Sequence, residues 1–68
     1  MEFNLEGQEF VELNRLLKFL GWAESGGEAH QLIDQGMVMV NGQEEYRRRK
    51  KLYSGDVVEF NKMECKIL

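Results

Sequence analysis

Apolar and polar positions alternate along this chain with two different periods, and the switches between them mark the elements. Phe3-Asn4-Leu5 alternates and predicts a short strand that Gly7 ends. From about Gln8 the period becomes helical. Phe10, Leu13, Leu17 and Leu20 recur at i, i+3, i+7 and i+10, with Leu16 beside them and Gly21 as the stop. Glu9, Glu12, Arg15 and Lys18 take the opposite face, where Glu12 and Arg15 have i,i+3 spacing. Trp22-Ala23 joins this helix to a second. The short connection predicts an antiparallel or steeply crossed pair, with Trp22 as a core plug.

The second helix has the clearest punctuation in the chain. Ser25 is placed to accept from the backbone N–H of Glu28, and Glu28 to reach back to the N–H of Ser25, which is a capping box. Ala29, Leu32 and Ile33 form the apolar face, and Gly36 can take the left-handed conformation that closes a helix. His30 and Gln31 fall off that face and should be open to solvent. Met37-Val38-Met39-Val40 then reads as a strand with both valines inward, and Asn41-Gly42 is a strong hairpin signal. The return strand is Gln43 to Tyr46. After Ser54-Gly55-Asp56 come a strand at Val57–Phe60, a two-residue connection at Asn61-Lys62, and a last strand to Leu68. The expected fold class is α+β: two packed helices against a small, mostly antiparallel sheet, forming one domain over 1–68.

Charge changes the picture more than composition does. The 68 residues carry a formal net charge of −3. Residues 1–45 hold nine acidic and two basic side chains, a balance of −7, and residues 46–68 hold seven basic and three acidic, a balance of +4. The field at a patch follows its near neighbours, so an acidic protein can still present a surface for phosphate. Arg47-Arg48-Arg49-Lys50-Lys51 is such a patch, flanked by Tyr46 and Tyr53. Five adjacent cations repel one another unless an anionic partner is at hand. In an extended conformation Arg47, Arg49 and Lys51 share one side and Arg48 and Lys50 the other. About three contacts to one nucleic-acid strand would then give a slope of roughly −2 to −3 in log K against log salt. Arg15 and Lys18 can extend that surface. The exposed N–H groups of Gly26-Gly27 at the helix start that Ser25 caps can add to it, so that Ser25 and Gly26 count among the candidate contacts, and so do His30 and Gln31.

Other chemistries find little support. Cys65 is the only cysteine and His30 the only histidine, so neither a disulfide nor a metal site is expected. Cys65 reads as a structural thiol. No nucleophile–base set and no phosphate-cradling P-loop are apparent, so neither an enzyme nor a cofactor is expected, nor a small-molecule substrate. The N-terminus lacks a basic segment followed by a long apolar run, and a cytoplasmic protein without membrane contact is expected.

At this point the ordered set Leu13, Leu17, Leu20-Gly21, Ala23, Ser25, Ala29, Gln31-Leu32-Ile33, Gln35-Gly36, Val38, Val40-Asn41-Gly42, Gly55-Asp56 and Val58 resembles the S4 RNA-binding domain, or αL motif. It covers about two-thirds of the chain and looks like the small bacterial proteins in which this module stands alone. The resemblance implies RNA binding along the helix pair and adjoining strands. Structured RNA, ribosomal RNA or tRNA, is the expected ligand, and a monomer is expected. This chain departs from the pattern at Gly26 and His30, where the family often has cations, and at Glu12, where it often has Arg. Those departures shift the expected contact toward Arg47–Lys51. An adaptor binding protein partners around the ribosome is the alternative, favoured by the acidic first half.

Overall fold

The computed structural model describes all 68 residues. Its elements are β1 (Glu2–Phe3), β2 (Val11–Glu12), α1 (Leu13–Phe19), α2 (Gly26–Asp34), β3 (Val38–Val40), β4 (Gln43–Glu44), β5 (Lys51–Leu52), β6 (Val57–Phe60) and β7 (Met63–Ile67). Five strands form one sheet in the order β1-β7-β6-β3-β4, antiparallel throughout except for the parallel β1–β7 pair. The strands β2 and β5 make a separate antiparallel pair. The α+β class expected from the pattern is the one observed.

Local chemistry explains α2 at both ends. Ser25 Oγ accepts from the Glu28 N–H at 3.1 Å. The other half of the expected capping box is shifted by one residue, since Glu28 Oε1 accepts from the N–H of Glu24 rather than Ser25. At the far end Gly36 has φ +73°, its N–H donates to the Ile33 carbonyl and the Met37 N–H to the Leu32 carbonyl, which is a Schellman closure. A Cβ on Gly36 would also meet the Tyr46 hydroxyl at 2.8 Å. Gly36→Ala is therefore expected to cost about 1–2 kcal/mol from the left-handed backbone alone, a fall of about 5–15 °C in thermal midpoint for a domain this size. A Tyr46→Ala background should recover only the part due to contact, and a double-mutant cycle by thermal melting measures that share.

The first helix is shorter than its periodicity predicts. It starts at Leu13, not near Gln8, because Val11 and Glu12 pair with Leu52 and Lys51 as strand. Phe10 is thereby taken off the helix, and its ring lies 6.1 Å from that of Tyr53. The return strand is also shorter, ending at Glu44, and Tyr46 is exposed.

One apolar cluster lies between the helices and the sheet. Leu13, Leu16, Leu17, Ala29, Ile33, Val38, Leu52, Val58, Cys65 and Ile67 are fully buried in it. Trp22 is buried as expected and its ring sits 6.0 Å from Phe60 of β6. Met37 is exposed and Met39 half-buried beside the inward valines. Burial pushes the Cys65 thiol pKa up, which suits an inert structural residue. The two hairpin turns, Asn41-Gly42 and Asn61-Lys62, both have positive φ at both positions, as two-residue turns of this hand require. Asn41 also ties the separate Asn-Gly and Gly-Asp motifs together. Its side chain donates to Asp56 Oδ1 at 3.0 Å and accepts from the Val57 N–H at 2.9 Å.

Candidate nucleic-acid interface

The start of α1 explains why the basic run sits where it does. Glu12 at the N-cap position makes no side-chain cap. Instead the Leu13 N–H donates to the Lys50 carbonyl at 2.9 Å and the Asn14 N–H to the Arg48 carbonyl at 3.0 Å. A segment 34 to 37 residues away in sequence supplies the acceptors that the first turn of a helix needs. The basic run is thus fixed to α1 by its own backbone, and the β2–β5 pair closes the other side.

The run is not the extended stretch expected from the sequence. It turns at Arg48-Arg49, with the Lys50 N–H donating to the Arg47 carbonyl at 3.2 Å. The expected alternation is lost. Arg47, Arg49, Lys50 and Lys51, together with Tyr53, line one open hollow of about 460 Å³. Lys50 joins the group from which alternation excluded it. Arg48 stays outside the group, its guanidinium reaching Asp34 at the end of α2 with contacts of 3.0 and 2.6 Å.

Carboxylates hold the other two arginines. Arg47 donates to Glu45 at 2.9 and 3.0 Å, and Arg49 to Glu12 at 3.2 Å. The other Glu12 oxygen lies 3.5 Å from Arg15, so this one carboxylate bridges α1 to the turn. All three run arginines are more than half exposed. Such pairs are worth about 1 kcal/mol or less, so a phosphate can compete for them. Lys50 and Lys51 make no ion pair. The Lys51 ammonium sits 4.8 Å from the Phe10 ring centroid, an aromatic support for the cation.

The pairs leave titration signatures. Hydrogen bonds from Arg48 hold the Asp34 carboxyl below its usual range, and those from Arg47 lower Glu45 from 4.5 to about 2. A carboxylate with a depressed folded pKa stabilises fully above its unfolded value, and the contribution disappears as pH falls through the folded one. The stability that the Arg47–Glu45 pair contributes should therefore be present at pH 5 and fade between pH 4.5 and about 2. A carbon-detected NMR titration of the Glu45 carboxyl should give a midpoint near 2. A midpoint above 4 would mean that the pair does not form in solution.

The helix-face candidates are less concentrated. His30 is half-buried rather than open, its Nε2 lying 3.2 Å from Asn14 Nδ2, while Gln31 is exposed. Ser25 and Gly26 start α2, about 13 Å from the Asp34 end that holds Arg48. The Ser25 hydroxyl is engaged in its cap. The structure thus does not bring these two to the basic turn. It does bring Arg15 there, through Glu12, with Lys18 one turn further along α1. Phe10, Glu12 and Asp34, which shape this surface, were not legible as site residues, because their partners are distant in sequence, Arg48 being 14 positions from Asp34 and Arg49 37 from Glu12. Glu45 acts on Arg47 only two positions away and was passed over as strand. This arrangement can grip phosphates with cations and offer Tyr53 to a planar ring.

A small mixed sheet under two capped helices, with a basic turn on the first, is the architecture of an RNA-binding module. The chain belongs to the S4 domain family, which it matches over residues 3–68. It is 45% identical over 58 residues to YbcJ of Escherichia coli (strain K12), a protein named for RNA binding, covering 85% of this chain and 83% of that one. It is 41% identical over 51 residues to RlbA of Bacillus subtilis (strain 168), named for ribosome maturation, covering 75% and 72%. The solution structure of Escherichia coli YbcJ matches with a TM-score of 0.74 at 39% identity, covering 98% of this chain and 85% of that one. That structure is described as revealing an αL motif involved in RNA binding. The family resemblance drawn from the residues is borne out.

Proposed function

We propose that this protein binds structured RNA, ribosomal RNA or tRNA, through phosphate contacts made by the turn at Arg47–Lys51. The observation that carries this reading is the gathering of four cations and Tyr53 around one hollow anchored to the start of α1. Support also comes from family membership and from the RNA-binding and ribosome-maturation names of two relatives. Arg15 and Lys18 extend the contact, Gln31 and His30 lie at its margin, and Ser25 and Gly26 contribute least. The protein acts as one S4 unit, as a monomer in the cytoplasm, and binds rather than catalyses. No helix is long and apolar enough to cross a membrane.

Recognition of this kind reads shape and backbone more than base edges. Four phosphate contacts at about 0.7–0.9 each give a slope of roughly −3 in log K against log salt. Titration of labelled ribosomal RNA and tRNA across a salt series measures it. A folded protein that binds neither RNA at low salt would overturn the reading and turn attention to acidic protein partners.

A further inference from the structure

Phe19 is the last residue of α1 and 74% exposed. Its ring is nevertheless held, packed edge-to-face with Phe3 at 5.0 Å and 85°. Together with Arg15 and Lys18 it lines an open hollow of about 420 Å³ that no carboxylate enters. This hollow is not isolated. Between it and the basic turn lies another of about 330 Å³, sharing Arg15 with the first and Arg49 with the turn. A continuous shallow track therefore runs from Tyr53, past Arg49 and Arg15, to Lys18 and Phe19.

From this geometry we propose that Phe19, flanked by Arg15 and Lys18, is a stacking subsite for an unpaired nucleotide of the bound RNA. The inference rests on the RNA-binding reading above and adds the class of RNA taken, one with a single-stranded segment beside its paired region. Two properties favour a nucleobase as occupant. An exposed ring offers a flat face to any base without selecting among them. The two charged side chains that line the hollow, Arg15 and Lys18, are both cations, so a chain that alternates phosphate with planar rings satisfies both parts of it. Glu12, midway along the track, spaces Arg15 and Arg49 by holding one on each carboxylate oxygen.

The test compares a blunt RNA hairpin with the same hairpin carrying a short single-stranded adenosine extension at either end, using fluorescence anisotropy. For the wild-type chain the favoured extension should tighten binding on the order of tenfold, as stacking of one base on an aromatic ring provides. Phe19→Ala should lose that gain and leave blunt-hairpin binding unchanged, while Phe19→Trp should keep it. Circular dichroism establishes that both variants fold. Equal wild-type affinity for hairpins with and without extensions overturns the subsite and leaves the phosphate-binding turn intact. Loss of affinity for every RNA in Phe19→Ala also overturns it, as does a change confined to oligomeric state, which would place Phe19 in a protein contact. If the wild type binds no RNA, the subsite falls together with the reading it rests on.

Discussion

Replacing Lys50 and Lys51 by glutamate is expected to lower RNA affinity by on the order of 100-fold at 0.1 M salt. The size follows from counterion release. With a slope of 0.7–0.9 per phosphate, each contact is worth about 0.7–0.9 decades at 0.1 M relative to 1 M salt. Losing two contacts therefore removes about 25- to 60-fold, and repulsion by the introduced carboxylates adds the rest. The same argument fixes how the effect decays. At 0.5 M salt the loss from missing contacts shrinks to about threefold, and the slope itself drops by about 1.5. These lysines are the sharpest choice because neither is spent on an ion pair, whereas Arg47, Arg48 and Arg49 each share charge with a carboxylate. The cap of α1 survives the change, since it is made by the backbone carbonyls of Arg48 and Lys50. Lys51→Glu also faces Glu12 across the β2–β5 pair, a cost of up to about 1 kcal/mol that circular dichroism melts measure. Lys62→Glu with Lys66→Glu makes the same change in net charge away from the turn. Filter binding across a salt series should find that control within about threefold of wild type. Equal losses in both double variants would mean that net charge, not the turn, governs affinity.

How far the sequence reached depends on the range of the interactions involved. The second helix was legible to within one residue because Ser25, Ala29, Ile33 and Gly36 act on neighbours three or four positions away. Asn41-Gly42 and Asn61-Lys62 were legible as hairpin turns for the same reason. The start of α1 was not. Phe10 and Leu13 satisfy helical spacing, but Val11 and Glu12 are captured by Leu52 and Lys51, whose pairing no local pattern announces. The basic run shows the same limit at the site. Its composition marked it, while its shape is set by Asp34 drawing Arg48 aside and by α1 taking the Arg48 and Lys50 carbonyls. Phe19 had a weak signal that went unused. It lies off the apolar stripe of Leu13, Leu16, Leu17 and Leu20, so an exposed aromatic there was already implied.

Leu17→Ala is expected to abolish cooperative folding or come close to it. Leu17 is fully buried in the only core this chain has. Leu→Ala at such a site costs about 2–5 kcal/mol in lost transfer energy and cavity. A domain of this length has a total of roughly 3–10 kcal/mol to lose, with no disulfide to offset it. The expected fall in thermal midpoint is about 10–40 °C. Leu17→Met, which conserves volume, should cost less than about 1.5 kcal/mol, and thermal melts by circular dichroism separate the two. Because α1 carries the basic turn at its first residues, Leu17→Ala is also expected to weaken RNA binding, but by a different route from Lys50→Glu with Lys51→Glu. The core variant binds only in proportion to the fraction folded, so added RNA should raise its midpoint as ligand binding pulls the folding equilibrium. The charge variant melts near the wild-type temperature, and RNA barely moves it. A core variant whose midpoint ignored RNA would separate the folded state from the binding state, and the turn on α1 would then not be the site.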